Sequence, residues 1–243
     1  MQGLRRLRKL CQTFKIDTMK YLRKFKTKGD VFMTIKPNVV LVKDTGEILY
    51  NEDPPRGVFI EHVNGSLYTL ENWTAGGFPS SEANGVAVLA EECSFVIAKQ
   101  QLSNNKGWAV PSDVAIEGIT LTSSSSTAKT DFNGEANTAL MLAQATDGAA
   151  HTCANYTFPN GRKGYLPALG EWDVVYRYAA EVKAAMTKIG VSVQYWYHNW
   201  SSTQYSASKA WWLTMNGGSS GSEPKSTSVA IRPFTKVTAL ANE

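Results

Sequence analysis

Leu169-Gly170-Glu171-Trp172 opens the stretch on which the fold reading turns. From it Val175, Tyr178, Ala179, Val182, Ala185, Met186 and Ile189 recur at three- and four-residue intervals, the stripe of an amphipathic helix. Pro167 stands just ahead of this run and Gly190 ends it, so the spacing predicts one helix reaching Ile189. Outward from it the period changes. Residues 131–145 read as a shorter helix with Ala139, Leu140, Met141, Leu142 and Ala143 as its apolar residues, and the serine run 123–126 reads as a flexible loop. Gly85-Val86-Ala87-Val88-Leu89 and Ser94-Phe95-Val96-Ile97-Ala98 read as strands with Glu91-Glu92 between them. Two hairpins are expected further upstream. One joins Val58-Phe59-Ile60 to Ser66-Leu67-Tyr68-Thr69-Leu70 around Asn64-Gly65, and the other joins 39–42 to Ile48-Leu49-Tyr50 around Asp44-Thr45-Gly46-Glu47. Between the hairpins, Asn51-Glu52-Asp53-Pro54-Pro55-Arg56-Gly57 breaks regular structure and reads as a linker. Helices in the middle with short strands on both sides, and no internal repeat, point to α+β.

At 243 residues, 43% hydrophobic and 19% charged, the chain can bury a full core as one large domain, or as one domain with an arm. No apolar run reaches the length of a membrane span, and the basic Met1 end lacks the apolar centre of a secretory signal. Three cysteines, Cys11, Cys93 and Cys153, give no framework of bridges and no paired zinc spacing. Cys93 and Cys153 read as buried thiols, with a bridge between them as the alternative. The net charge of +4 is unevenly spread. Residues 1–28 hold ten Lys/Arg against Asp17, a balance of +9, and the rest holds 15 against 20, a balance of −5. Within that arm Leu4, Leu7, Leu10 and Phe14 recur at helical spacing between Arg5, Arg6, Arg8, Lys9 and Lys15. The arm reads as a membrane-surface helix, a nucleic-acid arm, a helix that docks on a larger assembly, or a solvated terminus. Met19 offers a second start.

Tyr195-Trp196-Tyr197-His198-Asn199-Trp200-Ser201-Ser202-Thr203-Gln204-Tyr205 combines aromatic and small hydroxyl residues with almost nothing titratable. That mixture suits a contact surface, because Tyr and Trp supply area at low entropy cost while Ser and Asn adapt to what they meet. Trp211-Trp212-Leu213-Thr214-Met215-Asn216 follows. Strand alternation there sends Trp211, Leu213 and Met215 to one face, expected to be core. Trp212, Thr214 and Asn216 go to the other face, expected to be display, unless Trp212 packs against a loop. His62 and His151 read as isolated loop residues, and His198 as a contact with no second ligand at metal spacing. No phosphate loop, nucleophile elbow or catalytic acid pair is present, so neither catalysis nor a cofactor or metal is expected.

Gly161-Arg162-Lys163-Gly164-Tyr165-Leu166-Pro167-Ala168-Leu169-Gly170-Glu171-Trp172 resembles the signature that opens a helix in C-type-lectin-fold proteins. The tail from Trp200-Ser201-Ser202-Thr203 through Ala210-Trp211 and Gly218 to Ile231-Arg232-Pro233 is similar to the variable proteins of diversity-generating retroelements. Those occur in phages and bacteria, particularly the gut Bacteroidetes and their phages. The resemblance spans roughly 57–236 and implies a C-type-lectin-like domain with small antiparallel sheets and two helices. Ahead of it stand the arm, 1–28, and a β-hairpin docking segment, 29–52; residues 19–50 resemble a leader module of phage surface proteins. The resemblance further implies that Tyr197, His198, Tyr205, Ser208 and Lys209 belong to the ligand-binding face with Trp212, Thr214 and Asn216. Trp200, Ser201, Ser202, Thr203 and Arg232 would be framework. Formylglycine-generating enzymes share the Leu166-Pro167 and Glu171-Trp172 pattern but use paired cysteines, and no cysteine follows Cys153 here. Glu171 then reads as a structural residue near a helix N-terminus. Glu223-Pro224-Lys225 lacks the Asn of calcium-dependent lectins, so calcium-dependent sugar binding is not expected.

The expected function is a virion surface protein attaching to a host cell-surface protein or glycan. Its arm would bind other virion proteins, with room for a homo-oligomer and no role for nucleic acid. The alternatives are a head or tail decoration protein without an essential ligand and a bacterial surface adhesin.

Overall fold

The computed structural model describes residues 56–103, 107–193, 198–215 and 217–237, with the backbone of 39–41 and 48–50. Strands β1 (Val39–Leu41) and β2 (Ile48–Tyr50) pair antiparallel from Val39 opposite Tyr50 to Leu41 opposite Ile48, as the first hairpin requires. Its turn, the basic arm and most of the linker lie outside the described residues.

Strands β3 (Gly57–His62), β4 (Leu67–Tyr68), β5 (Ala83–Leu89) and β6 (Ser94–Ala98) build a sheet of neighbouring antiparallel pairs. The second hairpin is shorter than the sequence suggests. Thr69 accepts the Asn72 N–H on its hydroxyl at 3.1 Å and so caps helix α1 (Leu70–Ala75), which ends the strand at Tyr68. His62 is a strand residue rather than an isolated loop residue; its Nε2 lies 3.0 Å from Glu82, and its ring meets Tyr68, Trp73 and Phe78.

After β7 (Ala109–Val110) the serine run is ordered, because Ser124 caps the single turn α2 (Ser125–Ala128) and Ser125 reaches Ser220. Helix α3 (Gly134–Gln144) falls inside the expected span. Strand β8 (Asp147–Gly148) pairs with β7, and His151 sits on α4 (Ala149–Asn155) rather than in a loop. The long helix is in fact two, α5 (Leu169–Arg177) and α6 (Ala179–Lys188), broken where Tyr178 leaves helical geometry at φ −102°, ψ 24°. The break has a packing cause. Helix α5 rests on β9 (Asn199–Gln204) and β10 (Lys209–Leu213), whereas α6 rests on β3 and β5, and one straight rod does not lie along both sheets. The described residues thus hold six helical segments of α type rather than two. Strand β11 (Ser220–Pro224) completes an antiparallel sheet in the order β11-β10-β9, and β12 (Phe234–Thr235) joins the first as β12-β6-β5-β3-β4.

Period-two alternation divides the core across the sheets. Ile60, Val86, Val88, Phe95 and Ile97 face α5 and α6, with Trp172, Val175, Val182, Met186 and Ile189. Their strand neighbours Phe59, Ala87, Leu89, Val96 and Ala98 face Phe158 and Val237 on the opposite side. The three-stranded sheet does the same. Trp211 and Leu213 join the α5–α6 cluster, and Ala210 and Trp200 join one with Trp108, Cys153 and Ile231. Full burial of an aliphatic or Phe side chain in these clusters contributes roughly 1.5–3 kcal/mol. Cys93 and Cys153 are free thiols, half-buried and buried.

Candidate binding face

Strand β9 is apolar at Trp200 only, yet every residue of it is buried. Hydrogen bonds explain this. The Ser201 hydroxyl donates to the Trp211 carbonyl at 2.9 Å, and the Ser202 hydroxyl accepts the Asn137 amide at 3.1 Å. The Thr203 hydroxyl donates to Asp131 at 2.8 Å and accepts the Leu169 N–H at 3.0 Å, latching the start of α5 to the sheet. Each of these groups left unpaired would cost about 1–3 kcal/mol, so they fix the strand's position tightly. Trp108 and Trp172 add indole donors to the Ser201 and Trp200 carbonyls.

Two charged residues reinforce the same frame. Arg232 is buried and donates to the Ala98 and Lys99 carbonyls at 2.8 and 2.9 Å, and burial pulls its pKa down to about 9. Glu171 accepts the Ala168 N–H at 2.7 Å and lies 2.8 Å from the Tyr165 hydroxyl. Burial pushes its carboxyl up to about 8, well above the usual range, despite the opposing pull of those two hydrogen bonds. The space around it is full, since a Cβ on Gly134 would stand 2.1 Å from its Oε2. Glu171 is therefore positioned at the helix start, as its place in the sequence suggests, but in a setting that favours the neutral acid.

The far end of β9 is built differently. The Gln204 side chain accepts the Ile116 N–H at 2.8 Å and donates to the Ile116 and Ile119 carbonyls at 2.9 and 3.3 Å. Lys225 is buried, 4.5 Å over the Trp108 ring, and its Nζ donates to Gln204 and to the Val114 carbonyl, both at 2.8 Å. Burial lowers the Lys225 ammonium to about 8. The chain from 114 to 119 is thus gripped from beneath.

Beyond Gln204 the chain turns outward. The Tyr205 and Ser206 N–H groups both donate to the Lys209 carbonyl, and the Ser206 hydroxyl accepts the Lys209 N–H, closing the β9–β10 turn. Ser208 and Lys209 are exposed; Tyr205 is half-buried, edge-on to Trp211 at 5.1 Å. These three expected face residues come together. His198 and Trp212 form a separate pair, stacked at 3.7 Å and 18°. They stand three residues along β10 from Lys209, about 10 Å at strand rise. Trp212 is half-buried, packed on the Trp200 and Ala210 cluster, and its indole crosses Gly221, where a Cβ would approach to 2.5 Å. Thr214 corrects the display expectation: it is 7% exposed, because the strand ends at Leu213 and the chain turns in, with the Thr214 N–H on the Ser219 carbonyl. Trp211 and Leu213 are core as alternation predicts, and Met215 is half-buried against the same cluster. Tyr197 and Asn216 lie outside the described residues.

Two residues that sequence reasoning passed over complete this end. Val114 and Leu121 are each 51% exposed, and Leu121 bridges Gln204 in parallel beside the Tyr205 turn. Aliphatic residues in a loop carry no signal that separates a display position from a core one. Comparison with family models, curated proteins and solved structures finds no match for this chain. Among the described residues no group of three His, Cys, Asp or Glu is placed to hold a metal ion, and no helix is long and apolar enough to cross a membrane.

Proposed function

We propose that this chain is a phage virion surface protein whose residues 57–236 form a C-type-lectin-like domain displaying a ligand-binding face for host attachment. The observation that carries the reading is the division within the β9–β10 hairpin. Its stem, Trp200 to Gln204, is buried and held by side-chain hydrogen bonds, whereas its turn presents Tyr205, Ser208 and Lys209. A contact residue on such a turn can change without a change in the core, the physical requirement for a scaffold that varies its ligand. The basic arm at 1–28 would seat the domain on the particle.

The test is immunogold electron microscopy of phage particles with antibody raised against residues 57–243. Label at fixed positions on intact virions, with loss of adsorption when the antibody is bound, is the expected outcome. Unlabelled virions together with labelled bacterial envelopes would replace this reading with the adhesin. Labelled virions that adsorb normally would replace it with the decoration protein.

A further inference from the structure

The binding face described so far belongs to the β9–β10 turn, but the chain spends two buried polar residues on a different segment. Gln204 engages the 116–119 backbone through three hydrogen bonds, and Lys225 Nζ holds the Val114 carbonyl at 2.8 Å. A second backbone tie flanks them, with Gln204 N–H on the Thr120 carbonyl at 3.0 Å and Thr122 N–H on the Gln204 carbonyl at 3.1 Å. Burying an amide and an ammonium is costly unless their polar atoms are paired, and here the partners are the loop's own backbone groups and, between Lys225 and Gln204, each other. This fixed loop holds two large aliphatic side chains out to solvent, Val114 and Leu121, each 51% exposed. The same Gln204 joins the loop to Tyr205, the next residue of the chain, and the Lys225 N–H joins it to the Ser208 carbonyl at 2.9 Å.

We propose that residues 113–121 are the second, preorganised half of the binding face, and that the face takes a polypeptide surface with an apolar centre and a basic rim. The proposal rests on the attachment reading above and names its ligand class. The chemistry favours polypeptide over glycan. Val114 and Leu121 offer no polar atom to a sugar hydroxyl, which would lose its water without gaining a partner, whereas an apolar side chain loses nothing there. The charge is complementary to a basic rim. Between residues 107 and 128 the sequence holds Asp113 and Glu117 and no Lys or Arg. Both carboxylates are exposed and flank the exposed Val114 in the chain. Rigidity serves affinity directly, because a loop already held in place has no ordering cost on binding.

The experiment uses the fluorescently labelled full chain, titrated onto intact cells of gut Bacteroidetes strains and read by flow cytometry. Its variants are Leu121→Ser, Val114→Ser, the double charge reversal Asp113→Lys with Glu117→Lys, and Tyr205→Ala as the marker of the β9–β10 turn. The altered side chains at 113, 114, 117 and 121 are exposed, so thermal unfolding of the serine and charge-reversal variants should match the parent, while Tyr205→Ala, half-buried against Trp211, should lower it modestly. We expect each serine variant to raise the apparent Kd about tenfold, as truncation of an interface anchor does. The charge reversal should slow association and flatten its salt dependence. Proteinase K treatment of the cells should abolish binding, and periodate treatment should leave it intact. Unchanged binding by both serine variants, with Tyr205→Ala weakened, would overturn the loop's role while the attachment reading stood. Loss of binding on periodate alone would overturn the polypeptide ligand. A parent chain that binds no strain would remove the attachment reading and this proposal with it.

Discussion

Trp211 and Trp212 are adjacent, chemically identical and predicted to behave very differently on truncation. Trp211 is 4% exposed, lies in the cluster beneath α5 and α6, and donates its indole N–H to the Thr122 carbonyl at 2.9 Å. Trp211→Ala therefore removes a full core side chain, costing about 3–5 kcal/mol, and leaves that carbonyl short of a partner. Trp212 is half-buried, stacks on the exposed His198, and its buried indole nitrogen has no hydrogen-bond partner among the described residues. Its truncation removes roughly half of a side chain's burial and no hydrogen bond, so about 1–2 kcal/mol is expected. Equilibrium urea unfolding of both variants, followed by far-ultraviolet circular dichroism, separates the two values. The slope of the transition must stay constant for the comparison to hold. A Trp212→Ala variant that is the less stable of the pair would mean that β10 is offset by one residue, with Leu213 and Ala210 exchanging faces.

Three further outcomes are expected. The Glu171 carboxyl, raised from 4.5 to about 8 by burial, binds its proton more tightly in the folded state. Its contribution to stability is therefore complete below about pH 4.5 and lost as pH rises toward 8, at up to about 1.4 kcal/mol per pH unit. Glu171→Gln keeps an acceptor for Ala168 and should flatten that part of the stability–pH curve; parallel curves for variant and parent would show that Glu171 is already ionised in the fold. Gly221→Ala places a methyl 2.5 Å from the Trp212 indole and should cost about 1–3 kcal/mol in urea unfolding, with a change in near-ultraviolet dichroism as the ring moves; an unperturbed spectrum would contradict the packing. Deleting residues 1–28 should leave the Tm of the remainder within about 2 °C while abolishing incorporation into particles; normal incorporation would refute the docking role of the arm.

The sequence is most legible where side chains are apolar and least legible where they are hydroxyl or amide. Strands β5 and β6 announce themselves as Val-, Ile- and Phe-rich runs, and alternation alone places Trp211 and Leu213 in the core. The stripe from Leu169 to Ile189 reports burial correctly but not the break at Tyr178, because periodicity is blind to which sheet each half meets. Thr69 and Ser124 act as helix caps, a role that looks the same in sequence as strand or loop membership. Ser201, Ser202 and Thr203 show the limit most clearly. By composition they belong with adaptable contact residues, and only the resemblance sets them apart as framework; their burial depends on Asn137, Asp131 and Leu169, distant in sequence. Thr214 departs from alternation for a simpler reason, since the strict period does not continue past the last residue of a strand.

In the proposed function the β9–β10 turn binds and its stem only supports. The most direct measurement pairs cell binding with thermal unfolding for Tyr205→Ala and Thr203→Val. Tyr205 is half-buried at the turn, so its truncation should weaken binding to intact host cells by about 1–3 kcal/mol while lowering stability modestly. Thr203→Val removes the buried hydroxyl that pairs with Asp131 and Leu169, and should lower stability by about 1–3 kcal/mol while the folded fraction binds with unchanged affinity. Tyr205→Ala binding as tightly as the parent, with Thr203→Val changing the affinity of the folded protein, would contradict this division of labour between turn and stem.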